Sequence, residues 1–420
     1  MVNRKICVPL RPFMRRLFLF LSFLSCLFAP QRLTAADAQS VPDVDVDSTL
    51  RMSLLTCSPG TASYELYGHT ALRARSEKYD FDVVYNYGVF DFNQPHFVWH
   101  FVLGECDYMV AREDYPYFEF AYARRGSSIT EQVLNLYPAE ARELLRALED
   151  NCQPDNCTYR YNIFRKNCTT MARDMIEAHV FGNVRYPMRA RRLTYRQILH
   201  QFTAGSPWDE AGNDLLLGAE VDTLLTERDE MFAPVYFMWY ADSAMIERGY
   251  MRFDPLVAER TIVLEANPEL QQLSAAQEPS FPVSPAIVCW VLLVLGILLA
   301  TWEIRARRII WGVDVVLMTL QGLAGILLLF MIFFSTHPGV SSNWQAWVLN
   351  PLPLLFLPAV VRADRRHEPC IYHMLSAAML TLFLILSFFI PQDFTPMIYP
   401  LALLLLSRAM VHLLLQRITR

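Results

Sequence analysis

NPELQQLSAAQEPSFPVSPAIVCWVLLVLGILLATWEIRARR, residues 267–308, divides the chain into two parts. Its first half is rich in Pro, Ser and Gln and shows no apolar period, which is the composition of a linker. Its second half, from Ala286 to Trp302, is an apolar run that ends at Arg305, Arg307 and Arg308. Backbone in hydrocarbon must satisfy its own hydrogen bonds, so a run of this length reads as a spanning helix. The segment from 263 to 285 is therefore taken as a linker, and 286–420 as a membrane domain.

Toward the C-terminus four more apolar stretches follow: 310–334, 346–361, 370–390 and 397–415. The expectation is an all-α domain of five membrane helices. The third stretch is short and holds Asn350, Pro351, Pro353 and Pro358, the pattern of a broken helix lining a polar cavity. Arginines gather on alternate loops: Arg305, Arg307 and Arg308, then Arg362, Arg365 and Arg366, then Arg417 and Arg420. Such loops face the cytoplasm, which puts the C-terminus inside and everything before the first helix outside. Asp314, Gln321, Asn350, His373, Arg408 and His412 are polar residues within these stretches. Ionisable groups there are costly and often functional. Asp314, His373 and Arg408 also fall within a few turns of an interface, where long side chains reach water. Anchoring and helix packing account for them as well as transport does.

At the other end, Arg4, Lys5, Arg11, Arg15 and Arg16 precede an apolar core at 17–29 and the small-x-small triplet Ala36-Asp37-Ala38. This is the layout of a signal peptide over 1–38. Cys26 then belongs to a discarded segment. Signal and loop charges agree on an inner-membrane, multi-pass protein with a periplasmic N-terminal domain. The whole chain of 420 residues has 37 Lys and Arg against 42 Asp and Glu, a net charge of -5. No basic stripe with interleaved aromatics exists, which argues against nucleic acid as a partner. The run Arg189, Arg191, Arg192 is too short for one and reads as a solvated loop.

Residues 39–262 form the outer domain. Strands are expected at 49–57, 64–75, 79–90, 96–104 and 107–115, where Val, Phe and Tyr are frequent. Residues 64–75 and 79–88 suit a hairpin. Helices are expected at 138–150, with Pro138 at N1, at 168–180, with a buried stripe of Ala172, Met175, Ile176 and Val180, and at 210–228. The fold class is α+β, an antiparallel sheet beside several helices.

Nine cysteines are present. Cys7 and Cys26 lie in the signal, and Cys289 and Cys370 in membrane segments. The remaining five are Cys57, Cys106, Cys152, Cys157 and Cys168. Thiols outside the cytoplasm tend to pair, and five is odd, so one at least stands alone. Cys152 and Cys157 are close enough in sequence to bridge, while Cys57 and Cys106 bridge or are simply buried. There is no CxxC pair, and the histidines are scattered at 69, 96, 100, 179 and 200. No metal and no cofactor is expected. Cys168 opens a helix, whose unpaired N–H groups favour a thiolate. His69 follows Gly68 on a predicted strand, where an imidazole can take the thiol proton. A buried core thiol and an edge histidine are the alternatives that the residues alone leave open.

The segments YELYGHTALR (64–73), VVYNYGVFDF (83–92), YRYNIFRKNCTTMARD (159–174) and LNPLPLLFLP (349–358) resemble the Lnb N-terminal periplasmic domain followed by an Lnb-like transmembrane domain. More distantly, the outer domain resembles circularly permuted NlpC/P60 and lecithin retinol acyltransferase-like proteins. In those proteins a histidine strand precedes the Asn-Cys helix. The resemblance implies His69 as base and Cys168 as nucleophile. It also implies a third polar residue that orients the histidine, for which Asn86 is chosen, with Asp80 or Asp82 as alternatives. Arg173 and Asp174 are assigned a salt bridge or fold support. The expected activity is a membrane-anchored, thiol-dependent hydrolase or acyltransferase acting on an amide or ester of the cell envelope. Its substrate would be a peptidoglycan peptide or an acyl lipid or lipoprotein, and the membrane tether favours the lipid. The competing classes are a non-catalytic envelope binding or assembly module with a membrane-protein partner, and a transporter with an outer sensor domain.

Overall fold

The computed structural model describes residues 48–90, 96–189, 192–277, 281–366 and 368–418. The expected signal segment and Arg191 lie outside these residues. Strand β1 (Arg51–Cys57) pairs antiparallel with β2 (His69–Ser76), and β2 with β3 (Phe81–Val89). The β2–β3 hairpin is as expected, with its polar turn at 77–80. Helix α1 (Phe97–Leu103) leads to β4 (Asp107–Asp114), α2 (Tyr115–Arg125) and β5 (Ile129–Leu134). Next come α3 (Pro138–Asn151), β6 (Thr158–Arg160) and α4 (Cys168–His179). After β7 (Asn183–Arg185) the chain forms α5 (Tyr195–Thr203), α6 (Pro207–Leu216), α7 (Glu227–Glu230) and α8 (Pro234–Ser243). Strands β8 (Met245–Gly249), β9 (Arg252–Pro255) and β10 (Val257–Leu264) end the outer domain. The main sheet has seven strands in the order β10-β5-β1-β2-β3-β4-β6, and a small sheet has the order β7-β8-β9.

β1 is buried along six of its seven residues because both faces of the sheet are covered. Leu54, Leu72, Val83 and Tyr85 pack toward α3 and α4, whereas Leu55, Ala71 and Val84 pack toward Tyr115, Phe118 and Tyr122 of α2. Fully burying a leucine or phenylalanine contributes about 1.5–3 kcal/mol, so these two layers fix the central strands. Rigid central strands are what a precise site needs, and the candidate site lies at their ends.

Several expectations need correction. Residues 96–104, expected as a strand, form α1, which Gly104 ends in a left-handed conformation. The segment HFVWHFVLG is apolar on every side rather than alternating, so it offers no solvated face to a strand. The single helix expected at 210–228 breaks at Gly218, whose N–H donates to Gly339 O at 2.7 Å, while Ala219 N–H donates to Ser342 O at 3.0 Å. Long-range bonds to the membrane domain override local propensity there. Within the presumed linker, Pro268–Gln277 form helix α9, joined to α2 by Asn267 N–H donating to Gly126 O. No cysteine among the described residues is bridged. Three strand spacings of about 4.8 Å separate β1 from β4, so Cys57 lies beyond disulfide reach of Cys106 beside β4. Cys157 Sγ instead lies 3.6 Å from Pro154 O.

The C-terminal half is a helical bundle: α10 (Pro285–Ala306), α11 (Trp311–Phe334), α12 (Leu352–Arg366), α13 (Ile371–Leu386) and α14 (Ile398–Ile418). Pro285–Ala306, Trp311–Phe334, Trp344–Arg366 and Ile398–Leu415 are each long and apolar enough to cross a membrane, and Ile371–Leu386 is a shorter apolar helix. The third span is broken as its sequence suggests, with a single 3-10 turn at Trp344–Trp347 before α12. Asn350 accepts from Leu352 N–H and donates to Trp347 O, so it bonds the backbone on both sides of the break. The outer domain sits on one end of the bundle. Thr336 N–H donates to Leu103 O at 2.8 Å, Gln345 Nε2 to Asp214 O at 2.6 Å, and Asp393 N–H to Asp222 Oδ2 at 3.1 Å.

Candidate active site

Gly68 sets the entry to β2. Its φ is +73°, and a Cβ there would stand 2.7 Å from the Cys57 carbonyl oxygen. Only glycine fits such a position without strain. His69 then opens β2, its Cα paired with that of Cys57. Its Nε2 is hydrogen-bonded to Asn86 Oδ1 on the neighbouring β3. Asn86 Nδ2 donates in turn to Glu113 Oε1 at 3.1 Å, on β4 beyond it. The carboxylate can only accept, so it turns the amide oxygen of Asn86 toward the imidazole. The imidazole must then donate from Nε2–H. Its Nδ1 is left as the acceptor for the thiol.

Cys168 is the first residue of α4, and Asn167 caps that helix. Asn167 Oδ1 accepts from the N–H groups of Thr169 and Thr170 at 3.0 and 2.9 Å, while its Nδ2 donates to Ile163 O and Phe232 O, both at 2.8 Å. Thr170 Oγ1 closes a capping box by accepting from Asn167 N–H at 2.9 Å. An amide is the one short side chain that can make all four bonds. This clamp holds the start of α4 against the ends of β2 and β3, where Thr70 and Thr169 hydroxyls meet at 3.0 Å. Gly88, at φ +91°, leaves room there: a Cβ would lie 3.6 Å from Cys168 Cβ.

The partly buried sulfur meets the His69 ring in this corner. Burial pushes the thiol pKa up, but the charge of His69 and its hydrogen bond to the sulfur pull harder the other way. The Thr70 N–H and the Thr169 hydroxyl add to that pull, and the result is a value lowered to about 7. For His69, burial disfavours the charged ring, yet Cys168 and Asn86 together raise its pKa above the ordinary imidazole value. Burial likewise raises Glu113, against the pull of Asn86 and His69. Cys57, next to His69 on β1, is the contrasting case. It is 1% exposed, and burial drives its thiol far up, so it is inert.

Cys168, His69 and Asn86 are thus brought together. Asp80 and Asp82 are not: Asp80 lies in the β2–β3 turn at the opposite end of the hairpin, and Asp82 forms a two-bond pair with Arg73 at 2.7 and 2.5 Å. Arg173 and Asp174 do form a salt bridge, at 2.8 Å. Glu113 is the site residue that the sequence reading missed. The alternation of DYMVARED put it on one face of β4, but its neighbour depends on the β3–β4 register, which shifts between Tyr87 and Val89. His200, Glu210 and Asp214 cluster in the outer domain. Asp214 is already held by Arg196 and His200, at 2.7 and 2.8 Å, so this is an ion-pair network.

Residues 43–201 match the family model described as the Lnb N-terminal periplasmic domain, and residues 276–419 match the Lnb transmembrane domain. Both halves of the chain thus match Lnb domains. The bundle is accordingly membrane-spanning and in contact with lipid, and the outer domain is periplasmic. The Lnb periplasmic match takes in β1 to β6 and α4, and with them all four residues from Cys168 to Glu113. No curated protein and no solved structure matches the chain.

Proposed function

We propose that this protein is a thiol-dependent acyltransferase that works on acyl lipid or lipoprotein at the periplasmic face of the inner membrane. The observation that carries the reading is the hydrogen-bonded series from the Cys168 thiol through His69 and Asn86 to Glu113. A cysteine, a histidine and an orienting amide form the relay of papain-like enzymes, here in the chain order His, Asn, Cys, with the histidine and the amide on adjacent antiparallel strands and the cysteine at a helix start.

The chemistry follows from the atoms. His69 Nδ1 takes the thiol proton, and Nε2–H stays on Asn86. The thiolate attacks an ester carbonyl, and the negative oxygen needs a donor. Thr169 and Thr170 N–H are bonded to Asn167, which leaves Cys168 N–H at the positive end of α4 for that task. The leaving alcohol takes the proton from His69, and a thioester forms on Cys168. An amine or alcohol then gives its proton to His69, attacks the thioester and restores the thiol. Water in that role would make the protein a hydrolase.

Support for a lipid substrate comes from α1. Val98, Trp99 and Phe101 are each about half exposed, and Trp99 lies 5.5 Å from Phe330 near the outer end of α11. An exposed apolar helix against a membrane span sits at bilayer level. β3, which carries Asn86 and Gly88, precedes this helix in the chain. The arginine-rich loops are at the other end of the bundle, so that end is cytoplasmic on this reading.

The test uses the purified full-length protein in phospholipid vesicles with a synthetic lipopeptide bearing a free amine. The lipopeptide should gain one acyl chain, and Cys168→Ala should abolish the gain. Release of fatty acid alone would make it a lipid hydrolase. Cleavage of peptidoglycan peptides without any acyl transfer would overturn the lipid reading.

A further inference from the structure

Three buried polar atoms that complete no well-aligned hydrogen bond meet at the end of the bundle opposite the outer domain. They are Asp364 Oδ2 near the end of α12, His373 Nε2 near the start of α13 and His412 Nδ1 near the end of α14. His373 and His412 are 3% and 0% exposed. One ligand-type atom from each of the three residues lies within 4.8 Å of the others. An unpaired polar atom this deeply buried costs about 1–3 kcal/mol, and three in one place call for an occupant.

Charge points the same way. Glu303, Asp314 and Asp364 bring three carboxylates into this cluster, and among the described residues Arg408 is the one guanidinium bonded to any of them, pairing with Glu303 and Asp314. Arg408 reaches Asp314 at 2.8 and 2.9 Å and also binds Glu303. Two negative charges are left over. The His373 and His412 rings lie stacked beside these carboxylates, with centroids 3.8 Å apart and 8° between planes. A divalent cation would balance the charge.

We propose that Asp364, His373 and His412 bind one divalent first-row transition-metal ion, zinc being the best fit. Two imidazoles and a carboxylate are a zinc donor set, with one position left for water or a further ligand. His412 has the support such a ligand needs. Its Nε2 bonds Asp314 Oδ2 at 3.0 Å, and Arg408 holds Asp314, so Nδ1 is turned toward Asp364, 3.1 Å from its Oδ1. The ion would tie α12, α13 and α14 together at the end far from the thiol, and this site is independent of the proposed acyl transfer. Asp314, His373 and Arg408 also line a small cleft beside the cluster.

The experiment takes full-length protein purified in detergent without a histidine tag, and measures bound metal by elemental analysis. One zinc per chain is expected. After chelation, Co2+ titrated in place of zinc should give the visible absorption of a low-coordinate nitrogen–oxygen site. His373→Ala and Asp364→Asn should lose this binding. Asp314→Asn keeps all three ligands but loses the partner of His412, and should weaken binding roughly 10–100-fold. Ser376→Ala, a neighbour outside the donor set, should bind like the wild type. Wild-type protein that takes up neither zinc nor cobalt, or undiminished binding in His373→Ala, would overturn the proposal.

Discussion

Removing the His69 ring gives the sharpest forecast. In His69→Ala the burial of Cys168 persists while the largest opposing influence goes, so the thiol pKa should climb from about 7 to at least its ordinary 9.0. At pH 7 the thiolate fraction then falls from half to about 1%, a loss of ~50-fold. A more basic thiolate is also a better nucleophile, by about 0.4–0.5 log unit per pKa unit, which returns roughly 8-fold. The net fall in reactivity at pH 7 is therefore about 6-fold. The sign reverses at high pH: once both thiols are ionised, the variant should react roughly 8-fold faster than the wild type. The assay is the rate of iodoacetamide labelling of Cys168 against pH, read on its own peptide by mass spectrometry so that other thiols do not contribute. The wild-type curve should rise with its midpoint near 7, the variant curve near or above 9, and the two should cross. An unchanged midpoint in His69→Ala would show that the imidazole does not set the thiol, and the relay argument would fail.

Gly68→Ala should lower the melting temperature and blunt Cys168 labelling together, because the φ of +73° and the 2.7 Å approach to Cys57 O force the start of β2 to move. The cost should exceed about 1 kcal/mol, and thermal melts of the solubilised protein would detect it. Arg196→Ala leaves Asp214 and Asp222 buried without their guanidinium partner, at a cost of about 3–5 kcal/mol. Melting should show a large drop, and a change below 1 °C would mean that water reaches those carboxylates.

What was legible in the sequence divides along physical lines. Apolar runs are statements about solvent, and they foretold a membrane half built of helices. The start of α4 was legible because Asn, Cys and Thr at a helix entry carry capping information. The β2–β3 hairpin was legible from its polar turn. Register between distant strands was not, and that is why Glu113 escaped notice although Asn86 did not. α1 was misread because HFVWHFVLG has no period to choose between helix and strand, and its contacts with Thr336 and His337 lie more than 200 residues away. The break at Gly218 has the same origin. Strands β5 and β10, joined edge to edge across more than 120 residues, gave no local signal strong enough to single them out. In the bundle, Asp314, His373, Arg408 and His412 stood out from their apolar surroundings. Glu303 and Asp364 did not, because each sits next to an arginine-rich loop, where charged residues are ordinary. In the folded protein Glu303 is fully buried beneath Arg408.

The most direct measurement is the intact mass of the protein after incubation with phospholipid and no acceptor. Cys168 should carry one acyl chain as a thioester that neutral hydroxylamine removes, and neither Cys168→Ala nor His69→Ala should accumulate it. A protein whose mass stays unchanged under these conditions, with the Cys168 thiol folded and accessible, would contradict the account.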